Sequence, residues 1–178
     1  MDARVRVERY GPGEEVEDPR PGDFLLIRCR SRVSRLIYAT ERLRPRDQRP
    51  FGHWSHSALV VRRDGLIADV TSAGVIVRHV SRYRGEEYHY VRLDQPLGQA
   101  LLAAQYALSC VGQPYGHLSA VRLGWNVVTR CPIRVRDRGQ QVCASLVCRA
   151  LERAGHRFAE RPHEMMAGDL ARHFGVAP

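Results

Sequence analysis

Apolar and polar positions divide this chain into a strand-rich first half and a helix-rich second half. "GDFLLIRC" (22–29) is a compact apolar run after Pro-Gly, which predicts a buried strand. Between 31 and 43, Val33, Leu36, Ile37, Thr40 and Leu43 recur at helical spacing and predict a helix. Two prolines and a glycine make 45–54 a loop. "HSALVVRR" (56–63) and "LIADV" (66–70) flank Asp64-Gly65, a pair suited to a tight hairpin turn. "GVIVRHV" (74–80) and "YHYVRL" (88–93) add two strands, and the pattern then turns helical over 98–111, 117–128, 141–154 and 166–174. Residues 1–21, rich in Gly, Pro and Glu, read as an extended lead-in to one domain over 22–178. Strands first and helices afterwards predict an α+β fold, with helices segregated against an antiparallel, barrel-like sheet. Gly-rich phosphate fingerprints and internal repeats are absent.

A domain of 178 residues buries enough surface to fold without a disulfide or metal. Its 44% hydrophobic and 26% charged residues exclude disorder over the whole length. All 28 basic residues are arginine, and the net charge of +9 favours anionic partners, such as a cell-wall polymer or a membrane surface. The arginines are scattered, and the runs at 42–49 and 134–138 carry Asp between them, so no specific nucleic-acid module is expected. No apolar stretch opens the chain and none approaches the length of a membrane span. Five cysteines without CxxC spacing fit free thiols in a reducing, cytoplasmic setting, with export by another route or a phage origin as alternatives.

Cys143 stands at the start of the predicted helix 141–154, where the free N–H groups and partial positive charge of a helix end favour a thiolate. Its own N–H is placed to help hold an oxyanion. The competing reading is a small apolar core residue, which is what we expect of Cys29, Cys110, Cys131 and Cys148. His56 opens a strand after a loop, a position from which an imidazole can enter a cleft and serve a thiol as base. Asp69 is the one carboxylate in "LIADV", and a buried charge there needs a partner. With Asp-Gly as a two-residue turn, facing residues sum to about 129, which leaves Asp69 four positions from direct opposition to His56. A bulge or a longer turn would close that gap, and the alternative is an exposed strand face. His53 and His56 with Cys143 and Cys148 could be combined into a zinc set, but the thiols lack knuckle spacing, so neither metal nor cofactor is expected.

The order His, Asp, helix-leading Cys resembles a circularly permuted papain-like cysteine hydrolase of the NlpC superfamily, YiiX-like. "PGDFLLIRCRSRVSRLI" is similar to that family's opening Gly-Asp strand and following helix, and "WSHSALVV" to its Ser-His strand. "LIADVTSAGVIVRHVSRY" is similar to its acidic strand, "AAQYALSCVGQPYG" to its helix ending in Gly-x-Pro-Tyr, and "VCASLVCRALERAG" to its nucleophile helix. "AGDLA" (167–171) is similar to its closing Gly-Asp-Leu, so the resemblance covers about residues 21–171. It implies Cys143 as nucleophile, His56 as base and Asp69 as the orienting residue. Tyr115 and Ser55 become candidate oxyanion or substrate contacts, with an ordinary turn tyrosine as the alternative for Tyr115. Relatives often have Glu at the position of Asp69, and Cys-Ser-Glu-Leu where this chain has Cys-Ala-Ser-Leu.

The expected function is a cysteine-dependent amidase or peptidase acting through an acyl-enzyme, on peptidoglycan-type peptides or another amide. The alternatives are a lipid or N-acyl amide hydrolase or acyltransferase, and a non-catalytic phage or interaction module that retains the fold.

Overall fold

The computed structural model describes residues 5–30, 38, 49–114 and 142–178. Six strands, β1 (Val5–Tyr10), β2 (Phe24–Arg28), β3 (His56–Val60), β4 (Leu66–Thr71), β5 (Gly74–His79) and β6 (Glu87–Leu93), form one sheet. Their order is β1-β6-β2-β3-β4-β5, and every neighbouring pair is antiparallel. Three helices follow among the described residues: α1 (Leu97–Ser109), α2 (Cys143–Arg153) and α3 (Ala167–His173). This is the α+β arrangement the sequence predicts. The helix expected at 31–43, apart from Tyr38, and the one at 117–128 lie outside the described residues.

Among the described residues the sheet is open: β1 and β5 are its two edges and do not pair, so the expected barrel-like closure is not found. Backbone chemistry at β5 gives the reason: its outer edge is occupied by the turn after α1. Val75 N–H donates to Gln113 O at 2.9 Å, and Gly112 N–H donates to Val75 O at 2.9 Å. Gly74 permits this approach, since a Cβ there would sit 2.3 Å from Gln113 O. At the other edge, Val5–Tyr10 of the extended lead-in pairs along the whole of β6, from Val5 opposite Leu93 to Tyr10 opposite Tyr88.

Strand alternation distributes the apolar side chains to both faces. Phe24, Leu26, Leu59, Val70 and Val91 pack against the three helices. Leu25, Ile27, Ala58, Val60 and Ile67 pack on the other face, beneath Val16, Val80 and Tyr83. Burial on both faces explains why β2 reads as a continuous apolar run rather than an alternating one. Val16 N–H donates to Tyr88 Oη at 3.1 Å and Arg20 N–H to Tyr90 Oη at 2.8 Å, which ties the lead-in down over this second face. α1 presents Ala100, Ala103, Ala104 and Ala107 inward, and small side chains allow a close approach to its neighbours. α2 buries Ala144, Ser145, Leu146, Val147, Cys148, Ala150 and Leu151. That nearly all-round burial fixes where its first residue points.

Candidate functional site

Val142, extended at φ −111° and ψ 156°, delivers the chain into α2 without a side-chain cap or an acidic residue in the first turn. The N–H groups of that turn are therefore available to a sulfur anion. Cys143 is the first helical residue and is half-buried. α2 packs across β3, and His56, the first residue of that strand, meets Cys143 where the sheet ends. The Cys143 thiol lies beside the His56 ring and the N–H groups of Ser57 and Ala144, close enough for each to favour its thiolate.

Asp69 completes the line. His56 Nε2 donates to Asp69 Oδ1 at 2.6 Å, which leaves Nδ1 of the ring for Cys143. The observed register explains the reach. Leu59 faces Ala68 and Val60 faces Ile67, so facing numbers sum to 127 rather than about 129. The turn is longer than the two-residue form: Gly65 N–H bonds Arg62 O at 3.3 Å, and Gly65 takes a left-handed φ of +85°. A type I turn closed by a left-handed glycine inserts extra residues into the loop. Extended along the strands, this register sets Asp69 across from Ala58, diagonal to His56 and on the same face.

Asp69 is fully buried and shared by three partners. Its Oδ2 accepts the Tyr83 hydroxyl at 2.7 Å and pairs with the Arg78 guanidinium. Arg78 Nη2 also donates to the Tyr83 oxygen at 2.8 Å, and its guanidinium lies 5.2 Å from the centre of the Tyr83 ring. Burial alone would raise the Asp69 pKa, but hydrogen bonds from His56 and Tyr83 and the nearby cations pull it down to about 2. Burial likewise opposes charge on both members of the thiol–imidazole pair. The proximity of each to the other wins: Cys143 falls below the ordinary thiol value, and His56, also held by Asp69, rises well above the ordinary imidazole value. Those opposite displacements favour a thiolate–imidazolium pair near neutral pH.

The remaining candidates fall elsewhere. Ser55 is buried, and its hydroxyl is committed to the end of β2: it accepts Cys29 N–H at 3.1 Å and lies 3.0 Å from Tyr38 Oη. Tyr115 and Cys131 lie outside the described residues. His53 turns to Glu87 at 2.9 Å while His56 turns to Asp69, so the two histidines do not converge. Cys148 is buried against Met165, with 3.3 Å between sulfurs. Among the described residues no group of three or more His, Cys, Asp or Glu is arranged to hold a metal. Cys29, expected in the core, is half-buried and close enough to the site for the charges of His56, Cys143 and Asp69 to act on it.

Arg78 and Tyr83 were not singled out from the sequence. A signal existed for Arg78: it interrupts an apolar run in "GVIVRHV", two positions from Ile76, which pairs with Asp69. Tyr83 ends a short helical turn, Val80–Tyr83, and only the fold of that turn brings it over Asp69. Among the described residues no helix is long and apolar enough to cross a membrane. No protein-family model and no curated protein matches this chain.

Proposed function

We propose that the protein is a cysteine-dependent hydrolase of amide bonds, with Cys143 as nucleophile, His56 as general base and acid, and Asp69 as the residue that orients His56. The observation that carries this reading is the unbroken contact from Cys143 through His56 to Asp69, with the sulfur at the unblocked start of α2. The thiolate adds to the substrate carbonyl carbon and forms a C–S bond. The oxyanion then collapses, the C–N bond breaks, and the imidazolium gives its proton to the leaving amine. Neutral His56 next takes a proton from water, hydroxide displaces the sulfur from the thioester, and the acid leaves with Cys143 restored. General acid–base help of this kind contributes roughly two to four powers of ten in rate. The Cys143 N–H, at the helix start where no intrahelical carbonyl is available to it, is the first candidate to receive the oxyanion, where one donor contributes roughly 3 kcal/mol.

The arrangement also supports kinship with the permuted papain-like NlpC superfamily, since a helix-leading cysteine follows the histidine and acidic strands in the chain. A substrate of peptidoglycan-peptide type, carried on an anionic polymer, suits the net charge of +9. The test is mass spectrometry of the intact protein and of its Cys143 peptide after incubation with a panel of peptide amides, N-acyl amides and esters. An acyl mass on Cys143, absent in Cys143→Ala, is expected with a peptide amide. Labelling only by N-acyl lipids would redirect the substrate assignment. No adduct from any of them, with Cys143 alkylating at the pH of an ordinary thiol, would remove the hydrolase reading.

A further inference from the structure

We propose that Arg78 and Tyr83 are positioning residues for this site: together they occupy Oδ2 of Asp69, leave Oδ1 alone to His56, and limit how strongly the carboxylate holds the imidazolium. The inference rests on the Cys143–His56–Asp69 reading and goes a step beyond it.

Geometry carries the argument. A carboxylate with both oxygens free can rotate and offer either to a neighbour. Here Tyr83 donates to Oδ2 at 2.7 Å and Arg78 pairs with that same oxygen, while Arg78 also holds the Tyr83 hydroxyl at 2.8 Å. The three groups form a closed triangle on one side of the carboxylate, and His56 takes the other side at 2.6 Å. The strand register enforces this. Asp69 faces Ile76 and Ile67 faces Arg78, so Arg78 is the diagonal neighbour of Asp69 on one face of the sheet. Tyr83 is buried, and its ring centre lies 5.8 Å from that of His56, so it also walls the imidazole.

The electrostatic consequence has a definite sign. The groups acting on His56 are Cys143 from α2 and Asp69 from β4, with Cys29 beyond β2 and Tyr83 after β5 close by. Arg78 from β5 acts on Asp69, the charge that stabilises the imidazolium. A fixed cation on Asp69 draws off part of that stabilisation and lowers the pH at which His56 gives up its proton. Without Arg78, Asp69 would hold the imidazolium to higher pH, and proton transfer to a leaving group would be harder. Tyr83 acts in the same direction but more weakly, because it is a dipole and not a charge.

The pH dependence of Cys143 alkylation by iodoacetamide, localised by peptide fragmentation, tests this without any knowledge of the substrate. Two rises are expected in the full-length wild-type protein: one as the thiolate forms beside imidazolium, and a second as His56 deprotonates. In Arg78→Gln the second rise should move upward by about 0.5–1 pH unit. Tyr83→Phe should move it the same way by less, and Arg78→Lys, which keeps the charge, should restore it most of the way. A merely structural role would lower the melting temperature and leave the second rise where it was. Unmoved second rises in folded Arg78→Gln and Tyr83→Phe would overturn the proposal while leaving the thiolate–imidazolium pair intact. If Arg78→Gln does not fold, Tyr83→Phe decides alone. A wild-type profile with no low-pH rise would remove the underlying pair and the proposal together.

Discussion

Each side chain in the Cys143–His56–Asp69 line owes its state to its neighbours more than to its own chemistry. Burial pushes Cys143 and His56 toward neutrality, and their mutual interaction reverses that, with Asp69 helping at His56 and the Ser57 and Ala144 N–H groups helping at Cys143. Removing one member should therefore change the other two. Cys143→Ala takes away a thiolate that favours the imidazolium, so the His56 pKa should fall, measurable by NMR titration of the ring; an unchanged value would deny the contact. Asp69→Asn should slow Cys143 chemistry by less than the roughly 10⁴-fold ceiling of acid–base help, because the helix start still favours the thiolate. It should also cost stability, about 1–3 kcal/mol by denaturant unfolding, since Arg78 and Tyr83 lose the carboxylate they converge on. Cys143, His56 and Asp69 were legible in the sequence because each stood at an informative place: a helix start, a strand start, and the one charge in an apolar strand. Arg78 and Tyr83 were not. Their roles depend on a register and on a turn conformation, which hydrophobic alternation does not encode.

At the scale of elements, one turn and one helix set the site. Gly65 closes the β3–β4 turn at φ +85°, and a Cβ there would meet His79 Nε2 at 2.6 Å. Gly65→Ala should destabilise the protein by about 1–3 kcal/mol, through backbone strain together with loss of the His79 bond to Asp64 O. A thermal shift indistinguishable from zero would show that the turn tolerates a different geometry. The sequence located this turn but assigned it the two-residue form, because Asp-Gly serves both that form and the last half of a longer loop. The difference of two in register is what brings Asp69 to His56. Helix α2 was legible because Leu146, Val147, Ala150 and Leu151 recur at helical spacing, and it spans Cys143–Arg153 within the expected 141–154. Leu151 is completely buried in it, and Leu151→Ala should cost about 2–5 kcal/mol in unfolding free energy. Because the start of α2 also carries Cys143, the same variant should loosen the thiol–imidazole contact and raise the pH at which Cys143 alkylates.

Across the whole molecule, the α+β class followed from strands preceding helices, whereas the open edges did not follow from any local pattern. Closure depends on what the two edge strands meet, and β5 meets the backbone of Gly112 and Gln113. Two buried titrating groups, far apart in sequence, also act on stability as a whole. Asp23 receives Leu93 N–H at 3.0 Å and the Tyr90 hydroxyl at 3.0 Å, yet burial outweighs these bonds and lifts its pKa from 3.8 to about 6. His89, beside Trp54 at a ring separation of 4.4 Å, is held neutral by burial and by the charge of Arg9, and its pKa falls from 6.5 to about 4. Between those values, folded Asp23 keeps a proton that the unfolded chain has released, so its contribution to stability declines as pH rises from about 4 to 6. Folded His89 refuses a proton that the unfolded chain binds, so its contribution grows as pH rises over about 4 to 6.5. Each amounts to at most about 3–3.5 kcal/mol, at about 1.4 kcal/mol per unit, and the two nearly cancel. Asp23→Asn should therefore uncover a rise in melting temperature of roughly 6–12 °C from pH 4 to 6.5 relative to the parent, and His89→Gln a comparable fall. The slope is the measurement, because either substitution can change stability uniformly through packing. Variants that keep the parent's slope would mean that both groups are solvated enough to titrate normally, and that the second face of the sheet and the Trp54 pocket are wetter than their side-chain packing implies.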